Sequence, residues 1–272
     1  MVSQFCIAAL HCATAAMIFA VPQQTLTAST QSQAPPVAKA FREDSRADVP
    51  QPHPAAPVTA EMRGDIFMAR KMFREAVDAY SEGPLDSAVL LNKTGIAYHQ
   101  MLDFNDARRY YERAIKVKPD YAEAINNLGT IYYAHKSYRR AVNQYKKALR
   151  YSPDSASIYS NLGTGYFARK DYIRAAEAWQ HALALDPEVF EQRGSRGVLL
   201  QERSVEDRAK FHYYMAKTYA KAGANDRALM YIRKALEEGF KERRKFIDEP
   251  EFAALQSMPE FKDMMAAEQR VL

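Results

Sequence analysis

Cysteine is nearly absent from this sequence of 272 residues, which contains only two. Both of them, Cys6 and Cys12, lie in an apolar run near the N-terminus. If that run is removed, the remaining chain has no thiol, which excludes a disulfide framework and cysteine catalysis. Glycine is also scarce, with 10 residues. None of these glycines forms a phosphate-binding loop, a dinucleotide fingerprint or a nucleophile elbow, so the sequence lacks these enzyme motifs.

The polar residues also form no catalytic or metal-binding constellation. No two of the six histidines are spaced four residues apart on one helical face, as a metal site on a helix requires. The carboxylates are scattered, and no pair of them stands out as a general acid and base. We therefore predict that the protein is not an enzyme and holds no metal and no cofactor.

The sequence does contain one pattern of 34 residues, which is repeated three times in succession between Ala88 and Pro187. The recurring positions are Gly95/Gly129/Gly163, Tyr98/Tyr132/Tyr166, Ala107/Ala141/Ala175, Ala114/Ala148/Ala182 and Pro119/Pro153/Pro187. The large side chains Tyr111, Tyr145 and Trp179 share a further position. This pattern resembles the tetratricopeptide repeat (TPR), whose period is about 34 residues.

Each unit of the pattern is predicted to form two helices. Apolar residues recur at intervals of three and four residues in each half of the unit, which is the spacing of a buried helical stripe. Asp103, Ser137 and Asp171 share one position between the halves and are predicted N-caps of the second helix. The conserved spacing of the prolines places Pro119 and its equivalents at the end of that helix. The resemblance implies an all-α TPR solenoid of antiparallel helix pairs, a right-handed superhelix with C-terminal capping helices.

A weaker copy of the pattern precedes the three units. Gly64, Phe67, Ala76 and Tyr80 echo the repeat positions, but Gly64 precedes the next repeat glycine by 31 residues instead of 34. We therefore predict a first, shortened helix pair over residues 60–82.

The pattern breaks down after Pro187. Residues 190–207 show no helical periodicity, so we predict an irregular insertion, which either packs at the junction or takes part in binding. Beyond it a last unit returns, with Ala216 in place of the repeat glycine and Ile232 in place of the aromatic residue. The predicted array thus covers residues 60–239.

The C-terminal residues 240–272 are predicted to form a helical cap. Pro250 and Pro259 are each followed by an acidic residue, which is typical of a first helical turn. Asp248 and Ser257 are the predicted N-caps of these two helices. The basic residues just before them are predicted to be exposed.

The N-terminal residues are predicted to be a targeting segment and a linker. Residues 5–21 form an apolar run that suits a secretory signal peptide over residues 1–21, with an uncleaved anchor or a misassigned start codon as alternatives. Residues 22–59 are rich in Pro, Gln and Ala and are predicted to be a disordered linker. We expect a bacterial protein that is exported, either periplasmic or envelope-associated. It is cytoplasmic if the segment is not a signal.

The TPR resemblance also implies a binding groove, because in this family the first helix of each unit lines a concave surface. The predicted contact residues are Asn92, His99, Asn126, Asn127, Tyr133, Asn161, Thr164 and Phe167. Asn127 and Asn161 share one repeat position, where amides either hydrogen-bond a peptide backbone or serve helix packing. The groove lacks the Lys and Arg residues with which some TPR modules clamp a carboxylate.

The charge is uneven along the array. Residues 122–155 carry six basic and two acidic residues, and we interpret the excess as a solvated outer helix face. An acidic protein partner and an anionic membrane remain alternatives.

We predict a non-catalytic scaffold that binds an extended peptide or a partner helix in the groove, with no nucleic acid and no membrane contact except through an uncleaved N-terminal segment. The alternatives are an accessory subunit that positions an envelope enzyme or secretion machine, and a cytosolic adaptor.

Overall fold

The structure, a computed structural model, describes residues 58–190 and 204–266. This part of the chain contains twelve α-helices, one 3₁₀ helix and no strand. The predicted signal segment, nearly all of the predicted linker and residues 191–203 of the predicted insertion lie outside it. The helices are α1 (Ala60–Ala69), α2 (Phe73–Ser81), α3 (Ala88–Gln100), α4 (Phe104–Val117), α5 (Ala122–Ala134), α6 (Tyr138–Tyr151), α7 (Ala156–Ala168), α8 (Tyr172–Leu185), α9 (Val205–Lys221), α10 (Asn225–Glu237), α11 (Lys245–Asp248), the 3₁₀ helix (Pro250–Leu255) and α12 (Pro259–Ala266).

The first ten helices form five consecutive pairs, from α1–α2 to α9–α10. Each helix packs against its partner, and the second helix of a pair packs against the first helix of the next pair, although α8 and α9 meet over a smaller surface. The all-α TPR solenoid is therefore confirmed. The shortened first pair predicted over residues 60–82 is formed by α1 and α2.

Packing within a pair explains why glycine and a large aromatic side chain recur together. A Cβ atom built on Gly129 would lie 2.5 Å from the Tyr145 ring, and one on Gly163 would lie 2.4 Å from the Trp179 ring. Both rings are completely buried, so the absent side chain of the first helix leaves the space that the second helix fills.

The boundaries of the second helices follow local signals. The Asp103 and Asp171 carboxylates accept hydrogen bonds from backbone amides in the first turns of α4 and α8, as predicted for N-caps. Ser137 occupies the same position before α6 but makes no such bond. Each of these helices ends two residues before Pro119 or its equivalent.

The predicted insertion is shorter than expected at its C-terminal end. Helix α9 begins at Val205, so the last three residues of the range 190–207 are helical. The Ser204 hydroxyl accepts a hydrogen bond of 3.1 Å from the Asp207 amide. A serine followed three residues later by an acidic residue is a helix-start signal, and it overrides the weak apolar pattern of this stretch.

The C-terminal cap agrees with the prediction in its helices but not in their N-caps. Pro250 begins the 3₁₀ helix and Pro259 begins α12. Asp248, however, belongs to α11, an element that was not predicted. Ser257 donates its hydroxyl to the Ala254 carbonyl at 3.3 Å instead of capping α12. In the part of the chain that the structure describes, no helix has the length and apolar character needed to cross a membrane.

Candidate binding surface on the first helices

A chain of asparagine side chains crosses three units on the first helices. Asn161 of α7 donates to Oδ1 of Asn126 of α5 at 3.0 Å, and Asn126 donates to Oδ1 of its neighbour Asn127 at 3.4 Å. Asn127 in turn donates to Oδ1 of Asn92 of α3 at 3.0 Å. We call these four residues the amide ladder. It joins each unit to the preceding one through donors and acceptors that are partly shielded from water.

The repeat position of Asn127 and Asn161 contacts the preceding unit throughout the array. In the first full unit this position is Lys93, which bridges to Glu61 at 2.7 Å and to Asp65 at 2.6 Å on α1. Burial works against the charge of Lys93, but its hydrogen bonds to these carboxylates outweigh burial and raise its pKa. In the last unit the position is Tyr214, which stacks on Tyr172 of α8 with ring centroids 4.9 Å apart. The position therefore serves contacts between units.

This geometry changes the interpretation of the predicted groove residues Asn92 and Asn161. They are 5% and 2% exposed, and their side chains are engaged in the amide ladder. Of the two roles that the sequence left open for the shared amide position, the structure favours packing for Asn161. An amide with so little exposed area has no surface with which to hold a peptide backbone.

Three further predicted groove residues also lie buried. Thr164 donates its hydroxyl to the Ser160 carbonyl of its own helix at 3.0 Å, and Tyr133 is 8% exposed. Phe167 is 2% exposed, because Phe211 of α9 packs edge-on against its ring with centroids 5.7 Å apart. The sequence could not predict this, since the packing of α9 depends on how the chain crosses the break after Pro187.

The remaining three predicted residues, His99, Asn126 and Asn127, are half-buried on the first helices. His99 packs edge-on against Phe104, with centroids 5.6 Å apart. Burial lowers the pKa of His99, so its imidazole is neutral at neutral pH. These three residues retain surface for a partner, and their role in binding stays a prediction.

A cavity of about 190 Å³ lies where the last unit meets the C-terminal cap. Its walls come from the start of α8, from α9 and from the segment between α10 and α11. The residues that line it are Tyr172, Lys210, Tyr213, Tyr214, Phe240, Glu242 and Lys245. We call it the aromatic cavity.

Two stacked ring pairs shape the aromatic cavity. Tyr172 and Tyr214 form one pair, and Tyr213 and Phe240 form the other, with centroids 4.6 Å apart. The Tyr213 hydroxyl donates to Glu249 at 2.5 Å. Burial, together with this hydrogen bond, raises the pKa of Tyr213, so it remains a neutral phenol. The stacked rings give the cavity fixed apolar walls.

The two lysines of the aromatic cavity supply its charge. Lys210 pairs with Glu206 at 2.8 Å, and this hydrogen bond raises the pKa of Lys210. Lys245 pairs with Glu242 at 2.5 Å and lies 5.6 Å from the centroid of the Tyr213 ring. The cavity thus offers apolar walls beside two ammonium groups. The sequence signals were the Tyr213–Tyr214 doublet and an aromatic residue after a glycine, but only the packing of the cap on α9 brings them together.

The described residues show little that resembles a catalytic site. Within residues 58–190 and 204–266 there is no group of three or more His, Cys, Asp and Glu side chains that could hold a metal ion. His212 Nδ1 lies 3.0 Å from a carboxylate oxygen of Glu238, which also pairs with Arg208 at 3.1 Å. Burial lowers the pKa of His212, and the Glu238 charge opposes this shift. Neither residue of this pair lines the aromatic cavity.

The five consecutive helix pairs and the contacts between neighbouring pairs define a helical-repeat protein. Comparison with known families identifies its repeats: three tetratricopeptide repeat models match residues 92–138, 129–164 and 156–189. The chain therefore carries tetratricopeptide repeats, which bind protein partners, and these repeats indicate a protein-interaction scaffold. No curated protein matches the sequence.

Several solved structures are similar to part of this chain. A crystal structure of MamA is 22% identical, covers 66% of this chain and 96% of its own, and gives a TM-score of 0.45. A second MamA crystal structure is 22% identical over 70% of this chain and 93% of its own, with a TM-score of 0.45. MamA 41-end from Desulfovibrio magneticus RS-1 is 20% identical over 64% and 90%, also at 0.45.

Proposed function

We propose that this protein is a non-catalytic interaction scaffold that holds an extended peptide or a partner helix along its first helices. The observation that carries this proposal is the aromatic cavity on α9, the first helix of the last unit. It combines aromatic rings with charged groups at its walls, as sites that anchor a side chain of a partner commonly do.

The volume of the aromatic cavity suits one large side chain. A dry cavity of about 150 Å³ holds a benzene molecule, and this one measures about 190 Å³. The half-buried rings of Tyr172 and Tyr214 can contact an aromatic or long apolar group, whereas Tyr213 and Phe240 are buried in the wall. The occupant that fits is an aromatic or long apolar side chain of the partner.

The two lysines of the aromatic cavity add a preference for a negatively charged group on the partner. Lys210 and Lys245 are already paired with Glu206 and Glu242, but such pairs at the surface are worth roughly 0–1 kcal/mol. A carboxylate on the partner can therefore replace either glutamate at little cost. We expect the anchoring side chain to stand next to an acidic residue.

Along the other first helices, the partner is proposed to contact the half-buried residues His99, Asn126 and Asn127. The buried members of the predicted set, such as Asn92 and Asn161, then form the floor beneath the partner and do not touch it. A buried floor leaves little polar surface for a peptide backbone, which favours a partner that brings its own satisfied hydrogen bonds, as a helix does.

The proposal is tested by photo-crosslinking in the cells that produce the protein. A photoreactive phenylalanine analogue is placed at Tyr214 in the full chain, with a matched control at Met230, which is 41% exposed on α10. We expect a discrete adduct with one protein from position 214 and none from position 230. Adducts from position 230 alone, or equal adducts from both positions, would contradict a partner on the first helices.

We further propose that the protein is exported, with residues 1–21 as a cleaved signal peptide and the array acting in the periplasm or at the envelope. The support is the apolar run at residues 5–21 with small residues at its end. N-terminal sequencing of the native protein tests this. A new N-terminus near residue 22 supports cleavage, and an intact Met1 contradicts it.

A further inference from the structure

Helix α6 carries an unusual charge pattern for an outer helix of this array. Its sequence from Tyr138 to Tyr151 contains five basic residues and no acidic residue. The basic residues are Arg139, Arg140, Lys146, Lys147 and Arg150. All of them are exposed except Lys147, which is half-buried. Spacings of seven and four residues align Arg139, Lys146 and Arg150 along one face. We call the surface formed by these five residues the basic face.

Several cations of the neighbouring outer helices have carboxylate partners. On α4, Arg108 pairs with Glu112 at 2.7 Å and Arg109 with Asp106 at 2.9 Å. On α8 and α10, the ion pairs are Arg174–Asp171 at 2.9 Å, Arg227–Glu188 at 2.6 Å and Arg233–Glu260 at 2.6 Å. By contrast, none of the five cations of the basic face forms an ion pair with another described residue.

No carboxylate of the described residues therefore compensates the repulsion within the basic face, although the Arg140 guanidinium lies over the Tyr132 ring, 5.9 Å from its centroid. Like charges three or four residues apart on a helix destabilise it by roughly 0.2–0.5 kcal/mol for each pair. The helix dipole accounts for Arg150 in the last turn, but not for Arg139 and Arg140 in the first turn, where the dipole disfavours positive charge. Packing of Ala141, Tyr145 and Ala148 holds α6 in place despite its charge.

We propose that the basic face is a second docking surface, which binds an acidic segment of a protein partner. The stripe from Arg139 to Arg150 is about 16 Å long, or three helical turns. It matches an acidic helix or extended segment whose carboxylates recur at similar intervals. This inference rests on the proposed scaffold function and adds to it a surface separate from the first helices, so that two partners can be held at once.

The composition of the basic face distinguishes an acidic protein segment from other anionic partners. An interfacial helix inserts several apolar side chains into a membrane, but the exposed residues between Arg139 and Lys146 are Arg140 and Asn143, and Tyr151 at the C-terminal end is the one large apolar side chain of α6 that is exposed. A single-stranded nucleic acid stacks successive bases on exposed aromatic rings interleaved with the cations, but Tyr145 at the centre of α6 is completely buried, and the exposed Tyr151 lies beyond the last cation of the stripe. Carboxylates need only the cations.

The experiment measures binding of a fluorescent peptide rich in glutamate to the full chain by anisotropy at low salt. The test variant is Arg139→Gln/Lys146→Gln/Arg150→Gln. The matched control is Lys71→Gln/Lys170→Gln/Lys221→Gln, which removes three exposed cations outside α6 and changes the net charge equally. We expect the test variant to weaken binding at least about tenfold, and the control less than about threefold. Equal losses in both variants would mean that only net charge matters, and would overturn the proposal.

Two further probes test the class of partner. Vesicles containing phosphatidylglycerol and a single-stranded DNA oligonucleotide are measured with the same variants. Tighter binding of either probe than of the peptide, lost in the α6 variant alone, would reassign the basic face to a membrane or a nucleic acid. The crosslink from position 214 is recorded in the α6 variant as well. Because that crosslink depends on the first helices, the scaffold function and the α6 surface can fail separately.

Discussion

The three regular units and the last unit solve the same packing problem in different ways. In the regular units a glycine on the first helix faces a large ring on the second, as in Gly129 with Tyr145. In the last unit both members change, because Ala216 and Ile232 take these positions and both are completely buried. The two positions thus change together, and the close packing between the two helices is kept. What differs is the surrounding chemistry, since the last unit adds the aromatic cavity.

The largest expected effect comes from a substitution that disrupts the packing of a glycine against an aromatic ring in a regular unit. In Gly129→Ala the new Cβ would lie 2.5 Å from the buried Tyr145 ring. Alanine normally gains about 1 kcal/mol over glycine in a helix, but overpacking costs about 1–3 kcal/mol and the clash here is severe. We expect a net loss of about 2 kcal/mol in the free energy of unfolding, measured in urea. The control Ala216→Gly creates no clash and should cost about 1 kcal/mol or less. A more stable Gly129→Ala would show that the ring can move aside.

Removal of a tyrosine hydroxyl should change the free energy of unfolding in opposite directions in the regular units and in the last unit. Among the described residues, the buried hydroxyls of Tyr111 and Tyr145 have no hydrogen-bond partner. The Tyr213 hydroxyl donates to Glu249, which also pairs with Lys217. Since a lost hydrogen bond to a charged group costs about 1.5–3 kcal/mol, we expect Tyr213→Phe to lower the free energy of unfolding by about 2 kcal/mol. Tyr145→Phe should leave it unchanged or raise it. Thermal unfolding of both variants checks the sign, and equal losses would contradict the contrast.

The half-buried histidines His99 and His212 should make stability depend on pH. Burial lowers the pKa of His99 in the first regular unit and of His212 in the last, where Glu238 opposes the shift and Lys234 and Arg208 add to it. Both folded-state pKa values lie below the unfolded value of about 6.5, so the unfolded chain binds more protons and stability falls as the pH drops from about 7 to 5.

The His99→Asn variant separates these two contributions. It should flatten the decline of melting temperature between about pH 7 and 5. His212→Asn should flatten it less, because the Glu238 carboxylate offsets part of the burial effect. A decline that is identical in both variants and in the parent protein would exclude the histidines as its source.

The smallest expected effect lies in the turns within the pairs. The regular units place Leu102, Lys136 and Lys170 at positive φ, whereas the last unit places Gly223 there. A residue with a Cβ atom pays about 1 kcal/mol in this conformation. We expect Lys136→Gly to raise the free energy of unfolding by about 0.5 kcal/mol, since glycine also gains entropy in the unfolded chain, and Gly223→Ala to lower it by about 1 kcal/mol. Urea unfolding checks both, and a destabilising Lys136→Gly would contradict the argument.

Most of the fold could be predicted from the sequence because its signals are local. The 34-residue spacing of Gly129 and its equivalents, the capping residues Asp103 and Asp171, and the prolines each act within one unit. The wrong N-caps Asp248 and Ser257 arose where α11, a helix of four residues, has too little pattern to be recognised.

The candidate site was less predictable because its contacts join distant parts of the chain. The sequence identified the repeat position of Asn127 and Asn161, but not that each side chain bonds to the preceding unit. The aromatic cavity brings Tyr172, Tyr214 and Phe240 together across the break after Pro187, where the period gives no register. The unpaired cations of α6 were visible as an excess of charge, but only the structure shows that no carboxylate faces them.

The most direct test compares the same repeat position in the two regions. The dissociation constant of the partner crosslinked at position 214 is measured for Tyr214→Leu and for Asn161→Ala, at a temperature where circular dichroism shows both variants folded. We predict that Tyr214→Leu weakens binding at least about tenfold. Asn161→Ala is predicted to lower the melting temperature and to change the affinity less than about threefold, because Asn161 joins units and does not touch the partner. The reverse result, with affinity lost in Asn161→Ala and kept in Tyr214→Leu, would contradict the assignment of binding to the last unit.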